Sequence, residues 1–236
     1  MRVDLLAIAA HRDDVEQTCG GALIRMAERG YRTGVLDLTA GEMGSRGDAA
    51  TRAREAEEAA REMLLSCRHN LGLPDARLEA TLAAKLAIAA KIRELRPRAV
   101  ILPYWEARHP DHSRAAELGS EACFLAGLKK LELPGDPHRP RKIVYASLYA
   151  NVRPSFVVDI SHQFERRLRA LFCYRSQYDD QPDAAGLFPR REEMGERIRA
   201  VARHYGMLIG VRYGEPYVVK EMMAVDDLVR MPVRSL

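Results

Sequence analysis

Residues 3–14 read VDLLAIAAHRDD, a mainly apolar run from Val3 to Ala9 that turns abruptly polar. Seven such residues have the length of a buried strand, whereas a helix needs ten or more. The next segment, Val15 to Arg29, is long enough for a helix, and Thr33 to Leu38 again has the length and the branched side chains of a strand. Strand, helix and strand in that order make a βαβ unit, with two parallel strands joined by a crossing helix. Ligands of an open α/β sheet collect beyond the carboxyl ends of its strands, so His11, Arg12, Asp13 and Asp14 stand where chemistry is expected.

Outward from this unit the alternation continues. Asp48 is placed to cap a helix from Ala49 to Leu65, in which Arg54, Glu55, Glu58 and Arg61 have spacings that permit i,i+4 pairing. Thr81 to Leu95 carries Leu82, Leu86, Ala89 and Ile92 on one stripe and has Pro97 just beyond its end. Ala99 to Leu102 reads as a buried strand, Ser113 to Leu125 as a helix, and Lys142 to Tyr149 and Phe156 to Ile160 as strands. Helices from Gln163 to Cys173 and Arg191 to His204 follow, with Tyr217 to Lys220 as a last strand. This order predicts an α/β fold, Rossmann-like, with a mainly parallel sheet covered by helices on both faces. The stretches 127–140 and 179–189 are rich in loop formers, but neither flanks a segment large enough to stand alone. A single domain over residues 1–236 is expected, its C-terminal third less regular. Gly20 and Gly21 lack the pattern of a phosphate loop and suit close helix packing instead.

Composition narrows the function. The chain has 236 residues, 47% hydrophobic and 30% charged, as in an ordinary globular protein. A net charge of +4 and only 6% aromatic residues give neither the basic block nor the stacking platform of a nucleic-acid binder. The first apolar run is too short for a membrane span and is followed by charge, which points to a cytoplasmic protein. Cys19, Cys67, Cys123 and Cys173 are far apart and form no CxxC pair, so they read as reduced, mostly buried thiols.

A second polar cluster, Arg108-His109-Pro110-Asp111-His112, follows the strand at Ala99 to Leu102. Either cluster alone is satisfied by a hydrogen-bonded histidine or a helix cap. Together, over one sheet edge, they supply the imidazoles and carboxylates of a three-ligand zinc site with one position open to water, and spare acid and base groups for metal-assisted hydrolysis.

The two clusters, Ala10-His11-Arg12-Asp13-Asp14-Val15-Glu16 and His109-Pro110-Asp111-His112, resemble the signatures of the PIG-L/LmbE-type N-acetylglucosaminyl deacetylases. Further matches resemble the bacillithiol-pathway branch of that family. These are Asp37-Leu38-Thr39, Gly41-Glu42, Gly44, Arg52 with Glu55-Ala56, Asn70-Leu71, Pro74-Asp75, Tyr104-Trp105-Glu106 and Tyr174-Arg175-Ser176-Gln177. The resemblance implies that His11, Asp14 and His112 bind Zn²⁺, that Asp13 is the general base and that His109 is the acid. Asp111 is then placed to hold the His109 imidazolium and raise its pKa. The implied reaction is hydrolytic deacetylation of N-acetyl-α-D-glucosaminyl L-malate, with a bacillithiol-conjugate amidase or a deacetylase of other N-acetylglucosaminides as alternatives. An N-acetylated amino-sugar conjugate with two carboxylates calls for arginine, and Arg52, Arg108 and Arg139 are the candidates, Arg52 acting only in binding. A homo-oligomer, in the form of a hexamer, is also implied.

Two positions depart from the family. Arg12 stands where a small residue or proline is usual, and its side chain is expected to point into solvent rather than at Asp13. Met194 aligns with a tyrosine near the pocket, which removes a phenol from that place. Trp105 suits either stacking on a sugar face or packing in the core. A reading of another class remains: Asp13-Asp14 after a first strand is also where a phospho-acceptor signalling module holds Mg²⁺. Such modules are about half this length and have no use for His109 and His112.

Overall fold

The computed structural model describes residues 2–147, 151–179 and 189–233. Their elements in chain order are β1 (Leu5–Ala9), α1 (Asp14–Thr18), α2 (Gly20–Glu28), β2 (Thr33–Thr39), α3 (Ala49–Glu62), β3 (Cys67–Leu73), α4 (Leu82–Leu95) and β4 (Ala99–Pro103). There follow α5 (Pro110–Ala126), β5 (Lys142–Ala146), β6 (Phe156–Asp159), α6 (Phe164–Leu171), α7 (Arg175–Tyr178), α8 (Arg191–Met207) and β7 (Gly214–Val218). They build one seven-stranded sheet in the order β3-β2-β1-β4-β5-β7-β6.

Five strands are parallel neighbours, with Leu5 facing Thr33 on one side and Ala99 on the other. Only β7 runs antiparallel, between β5 and β6. The order reverses between β1 and β4, which opens a crevice at their carboxyl ends. Side chains alternate across β1. Leu6 and Ile8 pack with Ile88 and Ile92 of α4 and Leu118 and Ala122 of α5, while Ala7 and Ala9 face Leu23 and Ile24 of α2. Helices on both faces and a mainly parallel sheet are therefore as the alternation predicts.

Five elements differ from the sequence expectation. The helix expected over Val15 to Arg29 breaks at Cys19, because the buried Glu215 carboxylate of β7 accepts from Gly21 N (2.8 Å) and Ala22 N (2.7 Å) and so caps a new helix. Gly21 is where the backbone must come close: a Cβ there would lie 2.7 Å from Glu215 Oε1 and 2.9 Å from Ile160. Strand β3 had no signal, since its polar Arg68, His69 and Asn70 lie on a half-buried edge where neither alternation nor a continuous apolar run is required. Helix α5 starts at Pro110, not Ser113, because proline suits the first helical position and the His109 side chain accepts from Asp111 N. The last strand lies at Gly214–Val218 rather than from Tyr217 to Lys220. The strand expected to reach Tyr149 ends at Ala146, and residues 148 and 149 lie outside the described residues, as do residues 180–188 of the second loop-rich stretch.

Among the described residues no helix is long and apolar enough to cross a membrane. Asp48 caps α3 as expected, accepting from Thr51 N at 2.6 Å. The charges expected to pair along α3 look elsewhere: Glu55 accepts from Ser176 and Glu58 pairs with Arg175.

Candidate metal and catalytic centre

Both polar clusters meet in the crevice between β1 and β4. His11 follows β1 through Ala10, whose carbonyl accepts from the backbone and hydroxyl of Thr39, and Asp14 opens α1. His112 lies in the first turn of α5, two residues beyond Pro110. The three side chains converge: His11 Nδ1 is 3.2 Å from His112 Nε2, His112 Nε2 is 3.1 Å from Asp14 Oδ1, and His11 Nδ1 is 3.5 Å from Asp14 Oδ2. In a tetrahedral site with bonds of about 2.0–2.1 Å, ligand atoms stand roughly 3.3–3.4 Å apart, so this donor set fits a divalent cation. The electrostatics agree. Burial disfavours charge on His11, yet Asp14, Asp75 and Asp13 raise its pKa to about 11. Burial likewise opposes charge on His112, and Asp14 outweighs it and raises the pKa. Asp14 is held far below the usual carboxylate range against its own burial by His112 and His11. The pocket thus favours positive charge at the point where the three ligands meet.

A residue whose role the sequence did not reveal supports His11. Asp75 Oδ1 lies 3.0 Å from His11 Nε2, and its carboxylate also accepts from Met43 N (3.0 Å) and Ala76 N (2.8 Å). The bond from His11 first, and then the backbone donors, hold its pKa down at about 2. A carboxylate on the far nitrogen of a metal-binding imidazole fixes the ring's tautomer and direction.

Asp13 projects beside the ligands. Its Oδ1 accepts from Arg52 Nη2 at 3.0 Å; its Oδ2 accepts from Tyr178 OH at 2.7 Å and from Gln17 Nε2 at 3.2 Å. The loop that carries it is pinned from below, where Arg68 and Tyr174 both donate to the Arg12 carbonyl. Arg68 also forks onto Asp37 and reaches Glu16 at 2.6 Å. Burial pushes the Glu16 carboxyl up to about 7, with Arg68 opposing. Arg68 and Tyr178 carry no local motif of their own, and although Tyr174 opens the Tyr174-Arg175-Ser176-Gln177 match, only the fold brings the three under the loop.

His109 caps α5, its Nδ1 accepting from Asp111 N at 3.2 Å. Its ring stands 4.9 Å from that of His11 and 5.1 Å from that of His112.

Several sequence expectations need correction. Asp111 does not hold His109: its carboxylate turns to the backbone of Ala76 (2.8 Å) and Leu78 (3.4 Å) and stands 3.6 Å from His11 Nε2. The pKa of His109 is lowered, by burial first and then by His11 and His112, not raised. Arg12 turns away from Asp13 but not into solvent, since it donates to Ala49 O (2.7 Å) and Ala40 O (3.3 Å) and burial lowers its pKa. Arg52 is only 4% exposed, and its guanidinium is engaged by Asp13 and Gly41 O, so it supports the Asp13 carboxylate rather than standing open to a ligand. Arg139 packs over Phe124 at the far end of α5, a 17-residue helix of about 25 Å, and within this chain it is not brought to the crevice. Arg108 stays exposed beside His109. Trp105 packs between Tyr104 and Tyr145 with Lys220 Nζ 4.7 Å above its ring, which is the packing alternative. Met194 packs against the cluster formed by α6 and α8, and a phenol reaches the centre from Tyr178 instead.

Residues 6–123 match the PIG-L family, GlcNAc-PI de-N-acetylase. A diacetylchitobiose deacetylase of Thermococcus kodakarensis is 32% identical over 226 residues, 89% of this chain and 80% of the relative. The chain belongs to the PIG-L family. Two solved structures of similar fold accord with this. The conserved protein TT1542 from Thermus thermophilus superposes with a TM-score of 0.85 at 39% identity, over 95% of this chain and 98% of that one. The N,N'-diacetylchitobiose deacetylase from Pyrococcus horikoshii superposes with a TM-score of 0.79 at 27% identity, over 91% and 82%. As a PIG-L protein the chain is a deacetylase, a hydrolase of N-acetylglucosamine-type substrates. The family match ends at Cys123 and so contains both polar clusters.

Proposed function

We propose that the enzyme uses Zn²⁺ held by His11, Asp14 and His112 to deacetylate N-acetyl-α-D-glucosaminyl L-malate, a step of bacillithiol biosynthesis, in the cytoplasm. The observation that carries the chemistry is the convergence of those three donors next to a carboxylate that is not one of them. A zinc ion in such a site lowers the pKa of water toward 7 and polarises a carbonyl. Asp13 accepts the proton of the attacking water, for which its fixed carboxylate is suited. His109 has its Nδ1 lone pair committed to Asp111 N, so a neutral ring presents Nε2–H toward the substrate. That donor serves the carbonyl oxygen as negative charge develops on it, and the proton taken by Asp13 passes to the amine nitrogen as the C–N bond breaks, which releases acetate and the amino sugar.

Support for the malate conjugate lies in the matches to the bacillithiol branch, and of the three arginines Arg108 is the one beside the catalytic cluster. A second reading, favoured by the identity to the Thermococcus enzyme, is a diacetylchitobiose-type substrate. Metal analysis followed by amine-release assays on the malate conjugate, diacetylchitobiose and free N-acetylglucosamine ranks them. Preference for diacetylchitobiose removes the malate assignment. In the same series Asp13→Ala is expected to keep one equivalent of zinc and lose about 10²- to 10⁴-fold in kcat; full turnover by that variant removes Asp13 as base.

We further propose a closed homo-oligomer, a hexamer as the family resemblance implies. The reading is supported by the family resemblance, and symmetric closure is the usual outcome of soluble self-assembly. Sedimentation that finds only monomer at micromolar concentration sinks it.

A further inference from the structure

We propose that Tyr178 is a positioning residue for the deacetylation, a donor that fixes the plane of the Asp13 carboxylate. The proposal rests on the reading of Asp13 as the base. A carboxylate that takes a proton from water must aim a lone pair at that water, and free rotation about its last bond spreads the aim. Here the rotation is stopped from two sides. Arg52 Nη2 holds Oδ1, and Tyr178 OH, the shortest of the three contacts at 2.7 Å, holds Oδ2. Gln17, the other donor to Oδ2, lies four residues along the chain, at 3.2 Å. Each carboxylate oxygen has two acceptor directions: Tyr178 and Gln17 occupy those of Oδ2, and Arg52 takes one on Oδ1 and leaves the other to receive a proton.

The phenol is itself held in place. Tyr178 ends α7, and α7 is bound to α3: Glu55 accepts from Ser176 N at 2.7 Å and from Ser176 Oγ at 2.6 Å. Arg46 and Gln177 exchange bonds, Arg46 Nη1 donating to Gln177 O at 2.8 Å and Gln177 Nε2 to Arg46 O at 2.6 Å. Gly47 has φ +66, and a Cβ there would lie 2.5 Å from Ser176 Oγ, so the loop before α3 closes directly on α7. The Tyr178 ring is buried against Phe172, 5.9 Å between centroids. One buried face of α3 therefore serves both sides of the base. Arg52 touches it directly, and Glu55, three residues on, holds the short helix that delivers the phenol. Orienting groups raise the rate of the chemical step and leave substrate binding nearly alone.

The test is a double-mutant cycle between Tyr178→Phe and Asp13→Ala on the zinc-loaded enzyme, with kcat and KM measured for one neutral N-acetylglucosaminide. Phenylalanine keeps the ring packing and removes only the hydroxyl. Loss of a hydrogen bond to a charged group predicts a kcat about ten- to hundredfold lower, with KM within about twofold and zinc content unchanged. In the Asp13→Ala background the same substitution is expected to have no further effect, because the group it orients is gone. Equal loss in both backgrounds, or an unchanged kcat in Tyr178→Phe beside a crippled Asp13→Ala, overturns the positioning role while the base stands. Full activity in Asp13→Ala overturns the base and this proposal with it. If Tyr178→Phe does not accumulate folded, Ser176→Ala replaces it, which loosens α7 from Glu55. The same background-dependent loss is then expected, and a background-independent one refutes the idea.

Discussion

Replacing Arg52 by alanine separates a residue that serves the reaction from one that reads the substrate. The guanidinium is 4% exposed and spans Asp13 Oδ1 at 3.0 Å and Gly41 O at 3.3 Å. Breaking a buried ion pair by removing one partner costs about 3–5 kcal/mol. Asp13 keeps Tyr178 and Gln17 as donors, so the loss falls at or below the lower end, about 2–3 kcal/mol, or roughly 5–10 °C in Tm for a chain of this size. For catalysis, one charge-assisted bond to the base is worth about ten- to hundredfold in kcat/KM. The assay is amine release from the malate conjugate and from its uncharged methyl-glycoside counterpart, with metal content and Tm measured on the same preparations. Because Arg52 acts through Asp13, both substrates are expected to slow by the same factor. A loss confined to the malate conjugate would refute the reasoning and return Arg52 to anion recognition.

Metal binding is expected to expel protons. His11 has a pKa raised to about 11 and His112 is raised as well, so the metal-free folded protein holds at least the His11 proton at neutral pH, whereas coordination needs neutral rings. Calorimetry in buffers of different ionisation enthalpy should show release of about one to two protons per zinc and an affinity that weakens by about a factor of ten or more for each pH unit lost; a buffer-independent heat contradicts this. By the same sign, without metal His11 contributes stability that is complete below its ordinary pKa of 6.5 and is lost as pH rises through about 11. His112→Ala should purify with less than a full equivalent of zinc, and full occupancy by metal analysis would discard the ligand set. Gly21→Ala should destabilise the fold by about 1–3 kcal/mol despite alanine's better helix propensity, since its Cβ would meet Glu215 Oε1 at 2.7 Å; a thermal melt that matches or exceeds that of the unaltered chain argues against close packing there.

What the sequence determined by itself is local in origin. Strand β1 is legible because a parallel strand buried on both faces must be apolar throughout, and Leu6, Ile8, Ala7 and Ala9 satisfy that requirement without reference to any partner. The candidate site is legible because His11 and Asp14, and His109 and His112, each lie within four residues of one another, so each cluster is a pattern before folding. Tertiary structure decided the rest. Nothing near Arg68 in sequence explains its burial, which depends on Asp37 and Glu16 coming from two other elements and compensating one another's desolvation. The break between α1 and α2 depends on a carboxylate 194 residues away. Asp13 reads from sequence as a base, but its orientation is set by Arg52 and Tyr178, 39 and 165 positions distant. Arg52, which the family resemblance offered as a contact for an anion, is drawn inward because a buried carboxylate without a cation costs more than an arginine withdrawn from water. Periodicity and short motifs report only what a segment needs from its immediate neighbours, whereas polar partners in a low-dielectric interior are chosen by whichever elements the sheet order brings together.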